Sequence, residues 1–341
     1  MRRPILLIAA SLAVLAGADL LACRVLQGNV RAIYTRWAQV MADQGWEVGG
    51  GPLQQDGAPF GARLVIPAFS LSGGRAMVPG GLDWHAQRVV LSIGLLHPFR
   101  LRVEPQGQQE LRLASGPALL IDADTIAASV KLWRGQPDSI DIAADSLAGR
   151  LQRAPDHNDI RIAELRLHLH ATRGGAARTA AQVSVEARGL DLPDNGRWPL
   201  GANISDLAAD LTVASPALSG QAAADQARAW RDWGGALTLQ HLALHWGPLD
   251  MDVHARMGLD DKLQPAGSGT ARLDGWSQSL DALASGGAIT QGVAQTAKVI
   301  LGSLAPSDGS ALVLPFTLRD STVSVGKVPV MRVQTIAWGG V

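Results

Sequence analysis

Apolar and polar residues alternate along most of the chain after residue 46. Leu165, Leu167 and Leu169, for example, are separated by single polar residues. A period of two places the apolar side chains on one face of a β-strand, and one apolar face per strand is typical of antiparallel sheets. The same period recurs in Val89/Leu91/Ile93/Leu95, Ile140/Ile142, Val183/Val185, Leu207/Ala209/Leu211/Val213, Leu237/Leu239, Leu242/Leu244/Trp246, Leu249/Met251/Val253, Leu312/Leu314/Phe316/Leu318, Val323/Val325 and Val328/Val330.

Three segments instead have helical spacing. Residues 25–45 place Val30, Ile33, Trp37 and Val40/Met41 three to four apart, and Gly45 is the expected stop. This amphipathic helix could extend a membrane anchor, lie on the membrane surface, or pack on the first sheet. Further helices are predicted near 222–233 and 277–305; Ser277 is a candidate N-cap for the last, which Gly286-Gly287 should break in two.

The predicted fold is mainly β, with an extended, curved antiparallel sheet, a few flanking helices and one preceding N-terminal transmembrane helix. A soft boundary near 214–221 divides it into a first β region, 46–214, and a second, 215–341. A long sheet with one apolar face must pack on a second sheet, be covered by helices, or enclose lipid, because soluble proteins rarely expose so large an apolar surface.

The N-terminal segment, residues 1–24, combines Arg2 and Arg3 with an apolar run, as export signals do. Three interpretations compete: cleavage after Ala18, lipidation at Cys23, or retention of residues 5–22 as an anchor of spanning length. All three export the body of the protein. The apolar residues that would form the anchor are Ile5, Leu6, Leu7, Ile8, Leu12, Val14, Leu15, Leu20 and Leu21.

The amino-acid composition argues against some classes of function. Lys and Arg number 30 and Asp and Glu 30, so the net charge is zero and nothing favours a nucleic-acid partner. Cys23 is the only cysteine, which excludes internal disulfides and thiolate metal clusters in the exported body.

Candidate chemistry is sparse. Asp122/Asp124 and Asp250/Asp252 place two carboxylates on one strand face, and His168/His170 and His241/His245 pair imidazoles similarly. Each pair could begin a metal site, but alternation with apolar residues favours a solvated strand face. No nucleophile elbow, phosphate loop or zinc-protease motif occurs, so no catalytic, metal or cofactor residue is assigned.

The apolar strand faces carry a sharper hypothesis. They could line an acyl-chain groove with Trp84, Trp133 and Trp246 among its walls, whereas ordinary core packing is the plainer interpretation of each tryptophan.

Several stretches resemble the DUF2125 family of uncharacterised alphaproteobacterial proteins. They are Trp37, Gly45-Trp46-Glu47-Val48, Leu64-Val65-Ile66-Pro67-Ala68-Phe69, Gly80-Gly81-Leu82-Asp83-Trp84-His85-Ala86, His97-Pro98-Phe99-Arg100-Leu101, Gly107-Gln108-Gln109-Glu110-Leu111, Trp246-Gly247-Pro248-Leu249, Leu259-Asp260, Leu263-Gln264-Pro265-Ala266-Gly267 and Val325-Gly326-Lys327-Val328-Pro329-Val330.

The resemblance implies a single N-terminal membrane segment, and so favours an uncut anchor in the bacterial inner membrane with Cys23 incidental. A more distant similarity to AsmA-like periplasmic proteins implies a sheet that holds or conducts lipid. The expected function is therefore a non-enzymatic envelope role, with lipid binding or transfer along an apolar groove in the periplasm. The alternatives are a structural partner of other envelope proteins and a hydrolase whose site is assembled from distant residues.

Overall fold

The computed structural model describes most of the chain after residue 27. The described residues are 28–56, 61–74, 81–113, 116–133, 136–152, 159–174, 178–193, 198–215, 223–305, 311–326, 328–336 and 338. The predicted anchor and Cys23 lie outside them. None of the described helices is long and apolar enough to cross a membrane.

The fold is mainly β, as the alternation predicts. The strands are β1 (Glu47–Gly49), β2 (Gln54–Asp56), β3 (Gly61–Gly73), β4 (Leu82–Gly94), β5 (Arg100–Leu113), β6 (Leu119–Asp122), β7 (Thr125–Trp133), β8 (Gln136–Leu151), β9 (Asp159–Gly174), β10 (Arg178–Asp191), β11 (Asn203–Ser215), β12 (Ala236–Trp246), β13 (Leu249–Leu259), β14 (Pro265–Asp274), β15 (Leu312–Arg319), β16 (Thr322–Val325) and β17 (Val328–Arg332).

All the strand pairs are antiparallel and follow chain order. The short strands β1 and β2 pair with two parts of β3, and β6 and β7 together bridge β5 and β8. Every other strand pairs with the next one along the chain. β11 and β12, on either side of the predicted boundary near 214–221, pair directly, so both predicted regions contribute to one sheet.

Two irregularities keep the apolar residues on one face. In β12 the apolar positions change from odd to even numbers between Leu239 and Leu242, and the ladders with β11 and β13 shift register there. In β3 the buried positions change from Ile66 to Phe69 across Ala68, which has a φ of 46°. An inserted or twisted residue at such a point bends the strand, and the apolar side chains that follow it return to the same face of the sheet.

The first helix, α1, occupies residues 28–43 of the described chain. Val30 is 1% exposed, and Ile33, Tyr34 and Trp37 pack against the cluster formed by β3, β4, β5 and β7. These spacings of three and four confirm the predicted stripe, and the stripe faces the sheet. Val40 is 46% exposed, so Met41 rather than Val40 continues the stripe. The helix ends at residue 43, and the chain turns away from it at Gly45, which has a φ of 81°.

The other three helices of the described chain fall where the sequence predicts them: α2 (Ala223–Asp232), α3 (Trp276–Ser285) and α4 (Gln291–Leu304). The last two are separated at Gly286-Gly287, as expected. The prediction that Ser277 is the N-cap is wrong, because the cap position is Gly275 and it has no side-chain cap. Helix α4 is capped by the Thr290 hydroxyl, which accepts a hydrogen bond from the Val293 amide at 3.3 Å.

Gly275 has a conformation that other residues rarely adopt. Its φ is 65°, and a Cβ there would overlap the carbonyl oxygen of Pro248. We expect Gly275→Ala to cost about 3 kcal/mol of unfolding free energy, through left-handed backbone strain plus this clash. Gly287→Ala is the control: its φ is 73° but no atom lies within 4 Å, so we expect about 1 kcal/mol. Equal losses in chemical denaturation would show that the Pro248 contact is unimportant.

Candidate functional site

One apolar face crosses the sheet from β3 to β15. Residues opposite each other on neighbouring strands lie on the same face, so the ladders can be followed from β3 to β15. One row consists of Leu64, Leu91, Val103, Ala128, Ile142, Leu167, Val185, Ala209, Leu242, Val253, Ala271 and Leu314.

Two further rows flank the first on the same face. One runs through Ala62, Ile93, Leu101, Val130, Ile140, Leu169, Val183, Leu211, Leu239, Ala255, Gly269 and Phe316. The other runs through Ala144, Leu165, Ala187, Leu207, Leu244, Met251, Leu273 and Leu312. Together the rows form an unbroken apolar surface.

Both ends of this surface are buried. Helix α1 covers the first end, where Leu64 is 1% exposed. Near the other end α2 and α3 contact β13, and Val253, Leu312 and Leu314 are buried. The sheet therefore uses helices to cover its apolar face at each end, which is one of the outcomes expected from the sequence.

The middle of the surface is partly exposed. We define the central strip as the large apolar residues of this face on β8–β12: Ile140, Ile142, Leu165, Leu167, Leu169, Val183, Val185, Leu207, Leu211, Val213, Leu237, Leu239, Leu242 and Leu244. None of them belongs to the fully buried core, and all have intermediate exposure. They are chemically equivalent to Leu64 and Ile93 at the covered end, so the difference arises from where the helices pack.

The opposite face of the same strands is charged. Arg166 on β9 reaches Asp145 at 2.9 Å and Glu164 at 3.0 Å, and Arg188 on β10 reaches Glu164 at 3.2 Å. This alternating ladder runs across β8, β9 and β10. Exposed pairs of this kind contribute little stability individually, but they mark this face as the solvated one.

Asp145 accepts two side-chain hydrogen bonds within that ladder. The Thr125 hydroxyl and the Arg166 guanidinium both donate to its carboxylate, and they hold the pKa of Asp145 below its usual value of 3.8. A lowered pKa in the folded state adds stability above the unfolded pKa, and this is lost as the pH falls through the folded pKa.

We therefore expect Asp145→Asn to lower the denaturation midpoint slightly at neutral pH, and the difference from the parent to disappear in acid as the parent carboxylate protonates. Denaturation midpoints measured across this range test it. Asp124→Asn, at an exposed carboxylate without an ion pair among the described residues, is the control for the loss of one surface charge, and we expect it to change the midpoint at neutral pH by less than Asp145→Asn does. A constant difference for Asp145→Asn would contradict the linkage.

The predicted histidine and aspartate pairs lie on this charged face or near its edges. His168 contacts Asp141, and His245 lies 3.5 Å from Asp250. Asp252 lies between two imidazoles, at 2.6 Å from His241 Nε2 and 2.9 Å from His254 Nε2. In the described part of the chain no group of three or more His, Cys, Asp or Glu side chains could hold a metal ion.

His254 also has a structural role. Its Nδ1 faces the carbonyl oxygen of Gln240, at the point where β12 shifts register. The side chain therefore satisfies a carbonyl group that the irregular strand leaves outside the regular ladder.

The prediction that Asp122 and Asp124 share one strand face is wrong, because β6 ends at Asp122, whose carboxylate accepts a hydrogen bond from the Ala123 amide.

One row of the charged face places Asp141, His168 and Ser184 side by side on β8, β9 and β10. This is the order of a charge relay, and His168 does contact Asp141. Among the described residues, however, no hydrogen bond joins His168 to Ser184. The amides around them lie in the ladders of β8, β9 and β10, so this strand surface offers no preformed oxyanion site.

The tryptophans suggested as groove walls differ in position. Trp84 packs beside Phe69 at the α1 end, with ring centroids 5.2 Å apart, and donates to Gln109 Oε1 at 3.3 Å. Trp246 lies at the end of β12 and donates to the Gly201 carbonyl at 2.7 Å. The side chain of Trp133 lies outside the description. Gln109, 3% exposed, is a buried polar residue that the sequence pattern does not reveal.

Two pockets in the described part of the chain are smaller and more polar than the central strip. A shallow pocket of about 320 Å³ lies beside Phe69 and Gln109, and another of about 350 Å³ lies between α2 and the end of β13. Both are open to solvent, and polar groups make up a large part of each lining. The central strip is therefore the candidate site.

Comparison with known proteins places the chain in a family. A family model described as an uncharacterized protein conserved in bacteria, DUF2125, matches residues 25–334, which include α1, the whole sheet and the remaining helices. No curated protein matches the chain, and neither does any solved structure. As its sequence motifs predict, the chain belongs to the DUF2125 family.

Proposed function

We propose that this protein is a non-enzymatic lipid-binding protein of the cell envelope, and that lipid acyl chains lie on the central strip. The proposal is based on the apolar surface of the sheet, which helices cover at both ends and leave partly exposed between them. Soluble proteins rarely leave such a surface in water unless it binds something.

The chemistry of the central strip favours an acyl chain as the occupant. Its side chains are aliphatic, and the strands beneath them already pair their amides and carbonyls in ladders. The strip can therefore bind a ligand through van der Waals contacts and burial of its apolar surface, but it offers few directional hydrogen bonds. A ligand that needs only burial matches this surface better than one that must be oriented by polar groups.

The dimensions are also suitable. The central strip crosses the four strand spacings from β8 to β12, about 19 Å. Half the hydrocarbon thickness of a bilayer is about 15 Å, so one acyl chain laid across the strands fits within the strip. The whole apolar face is longer, and this length supports movement of lipid along the sheet as an extension of simple binding.

We also propose that the N-terminal segment attaches the protein to the membrane. Residues 5–22 would anchor the chain in the bacterial inner membrane, with the N-terminus cytoplasmic and the sheet in the periplasm. Cys23 would then lie just beyond the anchor without a lipid of its own. The mass of the membrane-extracted protein tests this point: a diacylated N-terminus at Cys23 would overturn it.

Lipid extraction followed by mass spectrometry tests the binding. We expect the purified full chain to carry phospholipid that survives exhaustive detergent exchange, and native mass spectra to show complexes heavier than the chain by a lipid mass. A chain that is lipid-free and does not take up phospholipid from vesicles would refute the proposal.

A second function is favoured by the last edge of the sheet. All five residues of β17 are exposed, with Val328 at 59%, Val330 at 64% and Met331 at 58%. An exposed apolar edge strand is a template for strand addition by another protein. Co-purification of an envelope protein that is lost in a Val330→Lys variant, without any bound lipid, would favour this structural role over lipid binding.

A further inference from the structure

The turn between β4 and β5 exposes two large apolar side chains. Leu96 is 88% exposed, the highest value among the large apolar residues described, and Phe99 is 71% exposed. His97 and Pro98 lie between them. We call residues 95–99 the β4–β5 tip.

The β4–β5 tip is held in place rather than loosely attached. The His97 amide donates to the Gly94 carbonyl at 3.0 Å, and the Arg100 amide donates to the His97 carbonyl at 3.1 Å. The Phe99 carbonyl accepts the Leu132 amide at 2.8 Å. At its base, Leu95 packs against the core under α1. Leu96 and Phe99 are therefore presented outward by a hydrogen-bonded turn.

Positive charge adjoins the tip. Arg100 lies directly opposite Lys131 on β7, and like charges in that position repel each other. Lys131 has Asp138 at 3.6 Å, whereas no carboxylate lies within ion-pair distance of Arg100 among the described residues. An anionic surface beside the tip would relieve this repulsion.

Val30, near the start of α1, belongs to the buried cluster that contains Ala62, Ile93 and Leu101 at this end of the sheet. The other end of α1 leads to Gly45 and Trp46, against Gly73 at the end of β3. The tip adjoins the beginning of β3, where Gly61 is opposite Gly94. Between Asp19 and Gly28 the chain has nine steps, enough to reach about 14 Å as a helix or about 30 Å extended. An anchor that ends near Asp19 can therefore bring the membrane surface to the tip.

From these observations we infer that the β4–β5 tip inserts Leu96 and Phe99 into the bilayer beside the anchor, while Arg100 and Lys131 bind anionic phospholipid headgroups. Aromatic and aliphatic side chains flanked by basic residues are the usual composition of interfacial membrane contacts. The inference rests on the proposed membrane attachment, but it does not require lipid on the central strip.

Photo-cross-linking at two leucines of the β4–β5 hairpin tests it. Leu96 and, separately, Leu113 are replaced by the photoreactive residue p-benzoylphenylalanine. Leu113 is 53% exposed at the opposite end of β5, so it is a matched control that should stay in water. The full chain is reconstituted into phosphatidylcholine vesicles containing phosphatidylglycerol, irradiated and analysed by mass.

We expect a phospholipid adduct at position 96 and none at position 113. Arg100→Gln should reduce the share of phosphatidylglycerol among the adducts at position 96. The inference is overturned if neither position captures lipid, if both capture it equally, if position 96 captures another polypeptide instead, or if the chain does not associate with the vesicles. Loss of lipid from the central strip, measured on extracted protein, leaves this result unchanged, so the two proposals can fail separately.

Discussion

Val185→Asp should abolish most lipid binding while leaving the sheet folded. Val185 lies in the middle row of the central strip, on β10, and its neighbours across the strands are Leu167 and Ala209. A carboxylate among acyl chains costs about 3 kcal/mol, which corresponds to a roughly hundredfold weaker interaction. Phospholipid recovered per chain, by extraction and mass spectrometry, is the measurement.

Ser184→Asp is the matched control. Ser184 precedes Val185 on the same strand and therefore points to the charged face, opposite His168. The Ser184→Asp substitution introduces the same carboxylate at nearly the same place in the sheet. Any general effect of charge on folding or membrane attachment therefore appears in both variants. Equal lipid recovery from the two variants would show that the central strip is not where lipid binds.

The second large effect is expected from Leu64→Ala, beneath α1. Leu64 is 1% exposed and belongs to the cluster that includes Val30 and Ile66. Removing its side chain loses burial and leaves a cavity, so we expect a loss of about 3 kcal/mol of unfolding free energy. Chemical denaturation, or amide hydrogen exchange in α1, β3 and β4, can measure it.

Val313→Ala provides the comparison. Val313 is 57% exposed on β15, and such surface truncations change stability by about 0.5 kcal/mol or less. A Leu64→Ala variant as stable as Val313→Ala would mean that the packing of α1 on the sheet does not support the fold. In that case the covered and exposed parts of the apolar face would not differ energetically.

Much of this architecture is local and could be predicted from the sequence. The alternation at Leu165, Leu167 and Leu169 defines a strand with one apolar face, and the change of parity between Leu239 and Leu242 coincides with the register shift in β12. Gly286-Gly287 separates two helices because the chain turns there. These are properties of a few consecutive residues, which a sequence shows directly.

What could not be predicted depends on contacts between distant residues. Leu64 and Leu167 belong to similar alternating runs, yet one is buried by α1 and the other is partly exposed. Gly275, rather than Ser277, caps α3 because the chain passes close to Pro248 at that point. The burial of Gln109 likewise depends on Trp84, which is 25 residues away.

Because the strands pair in chain order, the sheet is built by adding one hairpin after another. Each hairpin contacts mainly the hairpins before and after it, as repeats do in solenoid proteins, where stability is a sum of neighbouring terms. Gaining or losing one hairpin would lengthen or shorten the apolar face by two strand spacings, roughly 10 Å, without changing the facing of the other strands. Evolution could thus adjust the span of this sheet to the distance it must cover, in steps of one hairpin.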